Sequence, residues 1–323
     1  MGMLGCGGIA ARHAKAIDAL GDRMRLVACV GRNLERTAAF AAEHGGEPFI
    51  DLDTMVDKQA PDLVVVTLPP FARKGEVEHL ASRGVHLLVE KPIALDMSAA
   101  KRMVDAVGCA RLVGAVGFMY RFGDAVRRWR ELDTGQAGLY VGGYYCNALH
   151  AHWWRERALS GGQIVEQAIH QIDLIRHLVG EPDTVCARRA NLFHRSVPGY
   201  DVEDVSSTLF GWDDGRMASL SASNIAVPGV WQKEWAVMAE RMTGRFTSWN
   251  EAVFTRTDGE IESETVAGET DPFVAQLADL AGAIEEDRQP YVPLAEGAAS
   301  LRLALAACQS ADERREIRLS DVA

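Results

Sequence analysis

The sequence contains no run of about twenty apolar residues, so no segment reads as a membrane-spanning helix. It also lacks an excess of basic charge. Against 34 lysines and arginines stand 45 aspartates and glutamates, a formal net charge of −11 and a pI near 5.3. Neutralising phosphates takes clustered cations, so nucleic acid is excluded as a partner. No basic stretch leads into an apolar segment and a cleavage site, so no secretory signal is read. The expected compartment is the cytoplasm, with no membrane partner. Cysteines are few and scattered, at 6, 29, 109, 146, 186 and 308, and none forms C-x-x-C. That spacing supplies neither a zinc ribbon nor a disulfide framework, which leaves reduced, mostly buried thiols. Repeats and low-complexity stretches are absent as well. What remains is a chain of 323 residues, 48% hydrophobic and 24% charged, which excludes disorder for most of its length. It has room for about two domains.

The first 118 residues alternate strand and helix. Gly2–Leu4, Arg25–Val30, Leu63–Leu68, Val85–Val89 and Leu112–Gly117 are apolar, strand-like runs. Between them, residues 11–20, Glu35–Glu43, 74–83 and Ser98–Val107 carry helical patterns. Such alternation with short loops indicates a doubly wound parallel sheet with helices on both faces. Beyond residue 120 the texture changes. Gly138–Leu149, Val202–Trp212, Met217–Ile225 and Trp231–Glu240 alternate with period two, and Asp213-Asp214-Gly215 supplies a turn. These are signs of an antiparallel sheet. One helix, Ile164–Leu178, interrupts it, and helices at Phe273–Glu286 and Glu296–Cys308 close the chain. The expected division is a dinucleotide-binding Rossmann domain over 1–120 and a second α+β domain over 121–323, with a large, mostly antiparallel open sheet.

Gly5-Cys6-Gly7-Gly8-Ile9-Ala10 follows a strand and opens a helix. In a G-x-G-x-x-A turn the first glycine permits the tight bend and the second lets the backbone approach a pyrophosphate. The small Ala10 permits close packing of helix on strand. The helix N-terminus then offers free N–H groups and the positive end of its dipole. At the end of the second strand, an acidic residue would hold a ribose hydroxyl and favour NAD. The sequence there is Val30-Gly31-Arg32-Asn33. No carboxylate is present to repel a 2′-phosphate, and Arg32 can pair with one. NADP(H) is therefore favoured over NAD(H), which stays open.

Glu90-Lys91-Pro92 directly follows the strand Val85–Val89. Ligands of open parallel sheets sit outside the C-terminal strand ends, so Lys91 belongs at the mouth of the cofactor crevice. A second cluster lies in Gly161-Gly162-Gln163-Ile164-Val165-Glu166-Gln167-Ala168-Ile169-His170-Gln171-Ile172-Asp173. On one helix Glu166, His170 and Asp173 fall at i, i+4 and i+7 and share a face. Two acids and a histidine on a half-buried face are costly unless paired or functional. The bland alternative is that Glu166 and Asp173 pair with Arg155 or Arg176. His150, His152, Trp153 and Trp154 cluster just before the glycine pair, where aromatic faces can stack on a pyranose or cyclitol. Tyr120 joins this substrate set.

The glycine turn, Glu90-Lys91-Pro92, Gly161-Gly162 and His170-x-x-Asp173, in this order and spacing, resemble the glucose–fructose oxidoreductase/inositol dehydrogenase (Gfo/Idh/MocA) family. The resemblance extends to Pro293-Leu294 and the following Glu296–Ala307 helix. It implies NAD(P)-dependent oxidation or reduction of sugars or cyclitols, and a second domain whose open sheet mediates a homo-oligomer, a dimer or tetramer. It further implies that Lys91 is the catalytic lysine and His170 the acid/base histidine. Glu166 stands where many members have Asp. By the same resemblance Thr67, Leu68 and Pro69 border the nicotinamide, and Trp154-Arg155 lie near cofactor and substrate. Departures are Gln163 where a third glycine is common, and Arg73 near a position often held by His. A metal set of His150, His152, Glu166 and His170 is disfavoured, because the family chemistry needs no metal. Two alternatives within the family are a regulator without catalysis and a glycosidase with a redox-cycling cofactor. Finally, only Met1–Leu4 precede the glycine turn, whereas strands usually run about 5–6 residues. The natural chain is expected to begin a few residues upstream, and its intact mass would decide.

Overall fold

Short runs of valine and leucine, punctuated by helices, become strands buried on both faces. The computed structural model describes residues 1–147 and 151–322. The chain begins β1 (Gly2–Leu4), α1 (Gly8–Ala19), β2 (Ala28–Val30), α2 (Leu34–His44), β3 (Glu47–Phe49) and α3 (Leu52–Gln59). It continues β4 (Leu63–Val66), α4 (Glu76–Ser82), β5 (His86–Val89), α5 (Met97–Cys109) and β6 (Gly114–Val116). After α6 (Asp124–Glu131) and β7 (Ala137–Tyr145) come three single turns, α7 (His152–Arg155), α8 (Arg157–Ser160) and α9 (Gln163–Glu166). Next are α10 (Ile169–Val179), β8 (Thr184–Ala190), β9 (Val205–Gly211), β10 (Met217–Ser223), β11 (Gln232–Ala239) and β12 (Met242–Phe246). The chain ends β13 (Glu251–Arg256), β14 (Ser263–Ala267), α11 (Pro272–Glu285), α12 (Leu294–Glu313) and β15 (Ile317–Arg318).

Two units form. The first comprises Met1–Ala94, Ser98–Met119 and Asp271–Ala298. A division at residue 120 assigned that last segment to the second domain. Its return has a physical cause, because Phe273, Leu277 and Leu280 of α11 pack into the same core as Met3, Ala14, Ile17 and Val65. The sheet is parallel, in the order β3-β2-β1-β4-β5-β6. Its order reverses between β1 and β4, so the loops after these strands splay apart at the C-terminal edge. Ala10, Ala14 and Ile17 form the buried stripe of α1 at i, i+4 and i+7. Asn33 and Asp51 cap α2 and α3 through the amides of Arg36 and Thr54.

The second unit is built on a nine-stranded sheet, in the order β14-β13-β12-β11-β7-β10-β9-β8-β15. All its pairs are antiparallel except β7 with β10. The Asp213-Asp214-Gly215 turn joins β9 to β10, with Gly215 at φ 95°. Alternation sends Ala218, Leu220 and Ala222 inward. The opposite face leaves Val141, Leu209 and Met217 exposed. Against the inner face lies α10, whose Ile172, Leu174 and Ile175 are buried.

The single helix expected over Ile164–Leu178 is broken. The Ala168 amide bonds the carbonyl of Gln163, five residues back, and this widened turn separates α9 from α10. Buried Gln163 donates to the side chain of Gln167 at 3.1 Å inside that turn. The i, i+4, i+7 stripe therefore does not run unbroken; only His170 and Asp173 share one helix.

All six cysteines are free. Cys29 and Cys146 are buried, Cys109 is exposed and the others are half-buried. Among the described residues no helix is long and apolar enough to cross a membrane.

One half-buried histidine gives the fold a pH dependence. His177, on α10, is pulled down to about 3 by burial and by the Arg121, Arg130 and Arg176 guanidiniums. In the unfolded chain a histidine titrates near 6.5. Between those values the unfolded state binds a proton that the folded state refuses, so stability falls as pH falls. The expected slope is about 1.4 kcal/mol per pH unit. His177→Gln should flatten it, as denaturant midpoints at pH 7 and 4.5 would show. An unchanged slope would contradict this.

Candidate functional site

The candidate nucleotide-binding residues lie at the C-terminal strand ends of the first unit. Gly5 stands at φ 101°, and a Cβ there would meet Thr67 Oγ1 at 2.7 Å. Thr67 in turn donates to the carbonyls of Leu4 and Gly5, both at 3.1 Å, tying the end of β4 to the glycine turn. At Gly7 and Gly8 a Cβ would meet nothing within 4 Å. Gly7, Gly8 and Ile9 are exposed, Ala10 is buried, and no side chain caps α1. A turn that is open on its outer side, with uncapped amides, fits a dinucleotide pyrophosphate. Gly31 is fixed by its neighbour, since a Cβ would collide with Thr37 Oγ1. Arg32 is exposed. Asn33 spends its side chain on the cap of α2, accepting from the Arg36 amide at 2.9 Å.

Glu90-Lys91-Pro92 is anchored from several directions. Glu90 is buried and bonds His13 Nε2 at 2.7 Å. It also accepts from the Lys91 backbone amide at 3.1 Å. Burial works to raise the Glu90 carboxyl. The His13 bond and the charges of His13, Lys91 and Arg73 outweigh it, so the pKa lies below the ordinary value. Buried Arg73 donates to the carbonyls of Leu68, Pro92 and Ile93, clipping the loop after β4 to the loop after β5. Burial draws its guanidinium down to about 10, which leaves it charged at neutral pH. Lys91 itself is half-buried, and its bond to Pro92 is cis. Thus Gly5, Thr67, Leu68, Pro69, Glu90, Lys91 and Pro92 gather on one edge of the sheet. His13 was missed, although a histidine on the buried Ala10-Ala14-Ile17 stripe is a legible anomaly.

A separate cluster of candidate residues lies within the second unit. His170 is 8% exposed and stacks on Tyr120, with centroids 4.4 Å apart and 17° between planes. Tyr120 is 2% exposed and stacks also on Trp249 at 4.6 Å. Its buried ring supports the histidine rather than presenting the substrate surface expected of it. Trp154 is likewise buried, and its Nε1 donates to Glu166 Oε2 at 2.7 Å. Its ring packs with Tyr200 and Val202, so it is no stacking platform, while Trp153 is partly buried against that cluster. His152 is exposed and pairs with Glu156 at 2.9 Å. The Arg155 carbonyl accepts from the Asp201 amide. His150 lies outside the described residues.

Asp173 is fully buried in a bidentate pair with Arg121, at 2.8 and 2.6 Å. Ser300 donates to it at 3.1 Å. Burial raises its carboxyl even beside Arg121 and Arg176. This is a pairing role, through a partner that adjoins Tyr120. Sequence reasoning also missed Glu203, which is buried behind the glycine pair. It accepts from the Ile164 amide at 2.8 Å and pairs with Arg157 at 3.0 Å.

Comparison with known proteins decides the family. The model described as "Oxidoreductase family, NAD-binding Rossmann fold" (GFO_IDH_MocA) matches residues 1–118, and the "GFO/IDH/MocA C-terminal domain" model matches residues 134–243. The chain belongs to the GFO/IDH/MocA oxidoreductase family. Inositol 2-dehydrogenase of Rhizobium meliloti is similar to this GFO/IDH/MocA chain at 28% identity, covering 99% of it and 98% of the relative. UDP-N-acetylglucosamine 3-dehydrogenase of Acidithiobacillus ferrooxidans is 27% identical, over 69% of this chain and 66% of the relative. Levoglucosan dehydrogenase, solved with NADH and levoglucosan, matches 98% of both chains with a TM-score of 0.90 at 20% identity, a likeness of fold. GFO/IDH/MocA membership makes the chain an NAD-binding oxidoreductase, among relatives named as sugar and cyclitol dehydrogenases.

Proposed function

We propose that this protein is a dehydrogenase or reductase of a CH–OH group on a sugar or cyclitol, with NADP(H) favoured over NAD(H). The observation that carries the reading is the anchoring of Lys91. Its backbone amide donates to buried Glu90, which buried His13 bonds in turn, and buried Arg73 holds the carbonyls of the next two residues, Pro92 and Ile93. When bound, the nicotinamide supplies the hydride chemistry. His170 takes or gives the hydroxyl proton, as imidazole is suited to do near neutral pH. Lys91 donates a hydrogen bond to the same oxygen and stabilises its developing charge. Glu166 orients the site from its bond with Trp154, and Asp173 supports it through Arg121. The exposed Val141, Leu209 and Met217 on the outer sheet face support a homo-oligomer.

The test is production of reduced cofactor from sugars and inositols, or its consumption with keto-sugars, using NADP and NAD in parallel. Turnover with any of these supports the reading, and none across the panel opposes it. Arg32 sets the nucleotide preference, because an Arg–phosphate pair is a strong charge-assisted contact. Arg32→Ala should raise KM for NADP⁺ about tenfold or more and leave NAD⁺ nearly unchanged. Equal effects on both nucleotides would contradict the preference.

A further inference from the structure

The second unit holds a cation that the proposed reaction does not use. Lys233, on β11, is half-buried. Its ammonium lies 5.2 Å from the ring centroid of Trp249, 5.7 Å from Tyr144, and 5.9 Å from Trp231 and Tyr120. Lysine is rarely withdrawn from water without compensation, and here aromatic faces provide part of it. The cage is continuous with the acid/base histidine, because Tyr120 stacks on both His170 and Trp249. Two of its rings, Tyr120 and Tyr144, are buried, but Trp231 is 44% exposed and meets Tyr144 edge-on at 6.5 Å. The cage therefore has a closed floor and an open indole wall. Nearby Glu166 accepts a hydrogen bond from Trp154 Nε1.

We propose that Lys233 and Trp231 form a subsite for an anionic group, a carboxylate or a phosphate, carried by the sugar substrate. The assignment rests on the dehydrogenase reading and narrows its substrate class. An ammonium ringed by aromatic faces is less hydrated than one on an open surface, so an anion that meets it displaces less water. The exposed indole offers a flat apolar face to the C–H face of the sugar ring. Together they recognise a molecule that is apolar on one ring face and negatively charged at one end. That end lies one stacked ring away from His170.

The experiment compares wild type, Lys233→Arg and Lys233→Met with D-glucuronate, D-glucose 6-phosphate and D-glucose. It reads kcat/KM and, separately, quenching of tryptophan fluorescence on titration with each sugar. Wild type should favour one of the anionic sugars over glucose by about tenfold or more, and Lys233→Met should erase that ratio. Lys233→Arg should keep most of it. Which anionic sugar is preferred distinguishes carboxylate from phosphate. A wild type that favours glucose, or a ratio untouched in Lys233→Met, overturns the subsite. If no sugar turns over but an anionic one still quenches, and Lys233→Met abolishes the quench, the subsite stands and the dehydrogenase reading falls. If glucose is oxidised with no anionic preference and no quench, the subsite falls and the activity stands.

Discussion

His170→Ala should lower kcat by about 10²–10⁴-fold while leaving the affinity for reduced cofactor within a few-fold. The split follows from where the groups sit. The glycine turn that fits the pyrophosphate belongs to the first unit, whereas His170 rides on α10 in the second. A histidine that is 8% exposed and stacked at 4.4 Å on a buried tyrosine has one orientation enforced. Removing it should delete the proposed proton transfer and leave the glycine turn of the first unit intact. Lys91→Met should cost about 10²–10³ in kcat, the scale of losing one donor to a developing oxyanion. Steady-state kinetics paired with fluorescence titration of reduced cofactor checks both variants. Near-normal turnover in both would remove the assigned roles. Loss of cofactor binding in His170→Ala would mean that the histidine holds the fold instead.

The second large effect falls on stability. Asp173→Leu leaves the Arg121 guanidinium, 5% exposed, without its bidentate carboxylate. Breaking a buried pair from one side costs about 3–5 kcal/mol, because the remaining charge stays in a low dielectric. Replacing both partners removes that charge, so Arg121→Leu/Asp173→Leu should recover most of the loss. Denaturant unfolding of the two single variants and the double closes the cycle. Additive losses would show that the pair is not the source. Activity per folded molecule should fall less than in His170→Ala, since Asp173 is fully buried in its pair with Arg121.

Local chemistry was legible in the sequence and distant pairing was not. Leu63–Val66 is a continuous, β-branched apolar run, and set among alternating helical segments it reads as a buried parallel strand. The Gly5–Ala10 turn was readable because strand, glycines and helix are adjacent. By contrast β3 contains Pro48 and little apolar pattern, and it survives only because it is the edge strand. The break between α9 and α10 left no local sign, since glutamine is a good helix former. It is set by buried contacts of Gln163 and Gln167. His13 with Glu90 spans 77 residues, Arg121 with Asp173 spans 52, and Glu203 with the Ile164 amide spans 39. No spacing rule reaches those distances. Asp271–Ala298 shows the same limit at domain scale, because a helix pattern does not say which core it joins.

The most direct test of the central claim is isotopic. A sugar or inositol that supports turnover is labelled with deuterium at the reacting carbon, and the reduced cofactor is analysed by mass. The account predicts that the label appears in the nicotinamide ring and that His170→Ala slows its arrival. Product formed with no net label in the cofactor would contradict the dehydrogenase assignment and point to a transient redox cycle.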